Sequence, residues 1–320
     1  MSLSNTAAAL AAISTVGIMN MFGDAEAAPD KPAPTLDTAA IEALTGAKGT
    51  LDVKEGVFKV SLPRADIKVT AAGVRMTPPL GLTAWAAFTR TGKPGSGHTM
   101  VMGDIVLLED QVNPVMSAAL DNGLEVTALH NHFFFDKPHV LFMHIGGEGA
   151  VDELGKGVKA MLDAEKAVRA KAPQPGAGLG APPPKGPSHI DAAKLDNVFG
   201  VKGQTKDGMY KATMGRKTQA ACGCTIGKAM GVNTWAAFAG ADDDAVVDGD
   251  FAVAEGELQP VLKALRAGGV NVVAIHSHMT EESPRILFLH YWGRGKAADL
   301  ATTVKKALDL TAWDGRSPST

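Results

Sequence analysis

Cysteine is scarce in this 320-residue chain, which has only Cys222 and Cys224, in the stretch AACGCTIG. The single residue between them disfavours an unstrained bridge, so a disulfide framework is excluded. Aromatic residues make up 5% of the chain, too few for a base-stacking platform. A net charge of −3 gives no electrostatic reason to expect nucleic acid or an anionic membrane surface as partner. A P-loop, a GxGxxG between strand and helix, HExxH and a G-x-S-x-G elbow are all missing. Nucleotide-dependent and serine-nucleophile chemistry are therefore disfavoured.

The apolar stretch from Ala7 to Phe22 is too short and too weakly hydrophobic to span a bilayer. Small residues follow it, and Ala25-Glu26-Ala27 fits an A-x-A cleavage site, so residues 1–28 read as a signal peptide. It departs from the usual pattern in one respect, since no Lys or Arg precedes Lys31. The expected location is periplasmic or extracellular, with no integral membrane segment in the mature chain.

What the chain does contain is a duplication. GDIVLLEDQVNPV, beginning at Gly103, aligns without a gap with GDFAVAEGELQPV, beginning at Gly249, at an offset of 146 that holds through to residues 162 and 308. Matched pairs include Asp104/Asp250, Glu109/Glu255, Pro114/Pro260, His130/His276, His132/His278 and His144/His290. Two copies at this spacing point to two domains, 35–169 and 189–313. Between them, residues 170–188 are rich in Pro and Gly and read as a semi-extended linker. Cys222 and Cys224 align with Ala72 and Val74. That favours small buried hydrophobes over a C-x-C metal site.

Each copy reads as strands followed by a β-α-β-β-α unit, so the expected fold class is α+β. TMVMGDIVLL suggests a strand, Asn113 and Pro114 suggest the opening of a helix, and Gly123 its end. Val151, Leu154, Val158 and Met161 recur at helical spacing.

The segment LHNHFFFDKPHVLFMH gathers four of the nine histidines. Regular alternation along Leu124–His132 places Val126, Ala128, His130 and His132 together on an inward apolar face. Imidazoles there are unfavourable unless hydrogen-bonded or sharing a cation. A symmetric hairpin puts His144 on the wrong face, whereas a pairing shifted by one residue brings it diagonal to His130. The candidate metal ligands are His130, His132, His144 and Glu109, with His276, His278, His290 and Glu255 in the second copy. Imidazole and carboxylate donors favour Zn²⁺, with other divalent transition metals open. Glu109 and Asp136 (Glu282 in the second copy) are the candidate catalytic carboxylates. His98 and His139, present only in the first copy, are extras.

The His-x-His-x3-Asp/Glu spacing with a later His resembles the metal motif of cupins, but those are all-β and the helix after Glu109 does not belong in one. LHNHFFFDKPHVLFMH and IHSHMTEESPRILFLH, each following GDxxxxE…P, resemble the LppY/LpqO family of bacterial envelope proteins over about residues 40–310. The resemblance implies export and no particular activity. Copy one departs from the HxHxxxExPR form of copy two at Asp136 and His139. The function expected is an exported transition-metal-binding protein, with zinc-dependent hydrolysis of an unassigned small-molecule substrate as its enzymatic form. The alternative is a non-catalytic envelope module that binds metal or a partner. Mass spectrometry of the native protein should find the mature N-terminus near Ala27 or Ala28; an intact Met1 in the cytosol would rule out export.

Overall fold

A computed structural model describes residues 36–92, 97–176 and 183–318, so the signal-like segment lies outside the described residues. In the first copy α1 (Thr38–Thr45) is followed by β1 (Gly49–Asp52), β2 (Val57–Pro63), β3 (Thr70–Ala71) and β4 (Val74–Arg75). Then come β5 (Thr83–Arg90), β6 (Thr99–Leu108), α2 (Glu109–Asp121), β7 (Glu125–His130), β8 (Asp136–Lys137), β9 (Val140–Gly149) and α3 (Val151–Lys171). The second copy opens with α4 (Ala192–Phe199), β10 (Gln204–Lys206), β11 (Met209–Gly215), β12 (Thr218–Gln219) and β13 (Thr225–Ile226). It continues with β14 (Asn233–Ala241), β15 (Asp244–Ala254), α5 (Glu255–Ala267), β16 (Asn271–His276), β17 (Ile286–Gly295) and α6 (Ala297–Leu308). The fold class is α+β.

The main sheet has twelve strands in the order β1-β2-β5-β6-β9-β7-β16-β17-β15-β14-β11-β10. Read from the middle outwards, the two halves list equivalent strands in the same order. The copies are therefore related by an approximate two-fold axis at the seam, where β7 and β16 pair antiparallel through Leu129 and Ile275. The sequence treats the copies as two domains; in the structure they share both a sheet and a core. Ile41, Val126, Leu129 and Val158 of one copy belong to the same buried cluster as Val272, Ile275, Leu289 and Val304 of the other.

One irregularity fixes which way the seam strands face. Val126 pairs with Ile145 and Ala128 with His144, so Thr127 is an extra residue, and the same bulge recurs between Val272 and Ala274. A bulge shifts the alternation of side chains by one position. Val126 and Leu129 both enter the helix-covered core, while Ala128 and His130 turn to the other face. This corrects the sequence expectation that His130 and His132 share a face with Val126, which assumed unbroken alternation.

The bulges are tied down across the seam. The Asn113 side chain donates to the Val272 carbonyl at 3.1 Å and accepts from the Val272 N–H at 2.8 Å. Gln259, its equivalent in the second copy, donates to the Val126 carbonyl at 2.9 Å and accepts from the Val126 N–H at 3.0 Å. Each copy's helix thus satisfies the backbone that the other copy's bulge leaves unpaired.

This also explains why Asn113 does not open the helix. β6 runs directly into α2 with Leu108 as N-cap, and the Gln111 side chain accepts from the Leu108 N–H at 3.0 Å. Pro114 and Pro260 lie inside α2 and α5 rather than at their first positions. Each is the sixth residue of its helix, beyond the four N–H groups without an intrahelical partner, so each ring removes one i→i−4 hydrogen bond. The cysteines also differ from expectation. Cys222 and Cys224 are exposed and joined in a disulfide at the β12–β13 turn. Gly223, with φ +76°, curls the chain enough to bring the sulfurs together.

Asn113→Ala or Gln259→Ala should each lower unfolding stability by about 1–3 kcal/mol in urea titration, because each leaves a buried N–H and C=O unpaired. Proteolytic cuts between residues 171 and 187 should leave two fragments that co-elute in size-exclusion chromatography, held by the shared sheet; fragments that separate without denaturant would contradict the continuous core.

Candidate functional site

The face opposite the helices carries the histidines. Cross-strand pairing sets Asp104 beside His144 and His144 beside Ala128, with His130 beside Phe142 in the adjacent row. This is the shifted register, so His144 lies diagonal to His130 on one face. The rings of His130 and His144 stack with centroids 5.0 Å apart, and those of His130 and His132 are 5.1 Å apart. His132, beyond the end of β7, lies flat on Phe142 with centroids 3.4 Å apart.

The second copy repeats the cluster closely. His276 is 4.9 Å from His290 and 5.0 Å from His278 between ring centroids, and His278 lies on Phe288 at 3.4 Å. The Nε2 atoms of His276 and His278 are 3.0 Å apart. Two nitrogens on one tetrahedral zinc are about 3.3 Å apart at ordinary bond lengths. The carboxylate of this cluster is Asp250, with oxygens 3.9 Å from His278 Nε2 and 4.0 Å from His290 Nδ1.

Both clusters leave polar atoms buried without partners, among them Asp104 Oδ1, His130 Nδ1, Asp250 Oδ1 and His276 Nδ1. Such atoms are uncommon in folded proteins and call for an explanation. Burial pushes Asp250 up to about 6, the nearby His290 opposing it. Burial lowers His276, His278 and His132, with Asp104 pulling His132 partly back. At neutral pH these lowered imidazoles are uncharged, the form in which a nitrogen can ligate a metal. His290 turns Nδ1 towards the Gly249 carbonyl at 3.4 Å. As they stand, no group of three or more His, Cys, Asp or Glu side chains among the described residues is arranged to hold a metal ion.

The other expected carboxylates lie elsewhere in the contact network. Glu109 begins α2 and is exposed, and Glu255 begins α5 with its carboxylate 3.6 Å from Arg285. Asp136 accepts from the Val140 N–H at 2.7 Å and contacts His139 at 3.0 Å. Glu282 accepts from the Ile286 N–H at 3.0 Å in the same way. Both therefore brace the loop that re-enters the sheet. His98 is 3.6 Å from Glu148, near the C-terminal end of β9. Phe134 and Phe135 are each 82% exposed, whereas Phe133, Phe142 and Phe288 are ring neighbours of the histidines.

Asp104 and Asp250 were visible in the sequence as a matched pair but carried no signal beyond the repeat. Their role depends on strand register. The clusters span β6, β9 and β7 in one copy and β16, β17 and β15 in the other, so their middle strands are three strand spacings apart, roughly 14 Å. The metal ions of a co-catalytic pair lie about 4 Å apart, a spacing that the two clusters do not share.

The family described as Domain of Unknown Function (DUF1259) matches residues 39–164 and again residues 193–310, and the chain belongs to it twice over. No curated protein matches. Among solved structures, a trimeric bacterial microcompartment shell protein, PduB, is similar at 14% identity, with a TM-score of 0.19 over 84% of this chain and 97% of that one. A score that low supports no inference. Among the described residues no helix is long and apolar enough to cross a membrane.

In the metal-free protein, Asp250→Asn should raise the melting temperature more at pH 7.5 than at pH 5. The folded state holds this proton more tightly than the unfolded chain does, so the wild type loses stability as pH rises from about 4 through about 6. The gain at pH 7.5 should be on the order of 2 kcal/mol.

Proposed function

We propose that the chain is an exported protein that binds one divalent transition ion per copy, Zn²⁺ first among them. His130, His132, His144 and Asp104 would hold one ion, and His276, His278, His290 and Asp250 the other. The observation that carries this reading is the recurrence, in both copies, of three packed imidazoles beside a buried aspartate with an unpartnered oxygen, Asp104 Oδ1 and Asp250 Oδ1. The 3.0 Å approach of two Nε2 atoms in copy two, which one neutral ring donating to the other also satisfies, is near the spacing of two ligands on one zinc. Three imidazoles and one carboxylate form a common zinc donor set. Closing it in copy two requires the His290 ring to turn from the Gly249 carbonyl.

Bound zinc would supply Lewis acidity and an acidified water to a hydrolytic reaction only where one of these four donors leaves a coordination position open. As a ligand Asp250 would have to give up the proton that burial helps it hold in the metal-free protein, so metal uptake would release a proton there. Glu109, Glu255 and Asp136 are proposed only as more distant groups, for a substrate whose identity stays open. Export, to the periplasm or beyond, and kinship with the LppY/LpqO envelope proteins belong to the same proposal. The second reading is a non-catalytic envelope module that binds metal or a partner protein. It draws its support from the side-chain arrangement of the described residues, among which no three donors converge.

Elemental analysis of untagged protein purified without chelators should find two ions per chain. His130→Ala and His276→Ala should each remove one and lower the melting temperature in the presence of zinc, because metal bound only by the folded state stabilises it. His139→Ala should leave the metal content unchanged. Wild-type protein that carries no metal and fails to take up added Zn²⁺ would end this reading and leave the partner-binding one.

A further inference from the structure

The Cys222–Cys224 bridge has no role in the metal clusters, and the duplication supplies a control for what it does in the fold. In the first copy β3 and β4 form the equivalent hairpin, pairing Thr70 with Arg75 and Ala71 with Val74. That hairpin turns through Ala72 and Gly73 with no sulfur in it. Gly73 and Gly223 both take positive φ, +83° and +76°, but copy one closes two residues between Ala71 and Val74 where copy two closes three between Ala220 and Cys224, so a hairpin forms at this place without sulfur in a register shifted by one. Both hairpins are also fastened to the loop that follows the histidines of their own copy. β3 pairs with β8, and Gln219 on β12 exchanges backbone hydrogen bonds of 2.9 and 3.1 Å with Ser283. A bridge spanning one intervening residue closes a very short loop, where the chain-entropy stabilisation of a disulfide is smallest. Both cysteines are exposed.

From the exposed pair and its sulfur-free counterpart we propose that Cys222–Cys224 is a thiol–disulfide exchange site whose co-reactant is a small-molecule monothiol. The Cys224 N–H donates to Cys222 Sγ at 3.4 Å, which stabilises negative charge on that sulfur and makes it the better leaving group. A thiolate RS⁻ attacks Cys224 Sγ, the Cys222–Cys224 bond breaks, and Cys222 departs as the thiolate. A second RS⁻ then attacks the R-bearing sulfur of the mixed disulfide, releasing RSSR and the Cys224 thiolate. Two electrons pass from two thiols to the protein, and the two thiolates take up the two protons that the thiols gave up. The reverse sequence oxidises thiols at the expense of RSSR, and neither direction draws on the metal clusters.

The test uses the full chain, equilibrated in air and then treated with reduced glutathione under native conditions, acid-quenched and peptide-mapped. The expected result is no free thiol at the start, a glutathione adduct on Cys224 at low glutathione, and two alkylatable thiols at high glutathione. The melting temperature should be the same in the oxidised and reduced forms. Free cysteines in the air-equilibrated protein, resistance to glutathione without denaturant, or an adduct on Cys222 instead would each overturn the assignment. The double variant Cys222→Ala/Cys224→Val, carrying the first copy's residues, should fold with unchanged melting temperature; a variant that fails to fold would show the bridge to be a structural staple.

Discussion

Everything on the functional face depends on one extra residue per seam strand and the amide that accommodates it. Thr127 and Val273 break the alternation of β7 and β16. Without that break, His130 and His276 would lie among Leu, Val and Met side chains under the helices. With it, a backbone N–H and C=O at Val126 and at Val272 need partners within a buried seam. Asn113 and Gln259 supply those partners from the opposite copy. A single device thus exposes the imidazoles and joins the halves, and neither copy can provide it alone.

Much of the plan was legible in the sequence because duplication is a pattern independent of folding details. The offset of 146 identified the copies, the histidine triads and the matched acidic residues, and the strand at TMVMGDIVLL coincides with β6. What was not legible depended on register. A bulge leaves no mark in side-chain type, since Thr127 and Val273 suit a regular strand as well as an irregular one. The facing direction of His130 was misread for that reason. Asp104 and Asp250 were overlooked because only the pairing of β6 with β9, and of β15 with β17, sets them beside a histidine. Asn113 before Pro114 looks like a helix start by local rules, yet its amide bonds a strand far away in sequence. Short-range signals could not show that a long-range bond had claimed it.

The acidic residues illustrate how burial separates roles that sequence spacing merges. Glu109, Asp136 and Asp104 all belong to matched acidic positions of the repeat. The first is solvated at a helix start, the second is tied to a loop backbone, and the third is buried with an oxygen unpaired. Solvation satisfies a carboxylate in water and a backbone N–H satisfies one in a loop. The buried, unsatisfied carboxylate is the one whose environment asks for a further partner.

The palindromic strand order has a consequence for how the two sites can change over time. It is the arrangement a two-fold homodimer would adopt, with a linker joining what would otherwise be separate subunits. In a true homodimer every substitution appears at both sites at once, so a change that suits one and harms the other is lost. A covalent pair removes that constraint while keeping the shared seam. The chain already shows such drift, with His139 against Arg285, Asp136 against Glu282, and Ala72 and Val74 against the bridged cysteines. One half can keep the ancestral chemistry while the other explores, on a scaffold that neither could hold together alone.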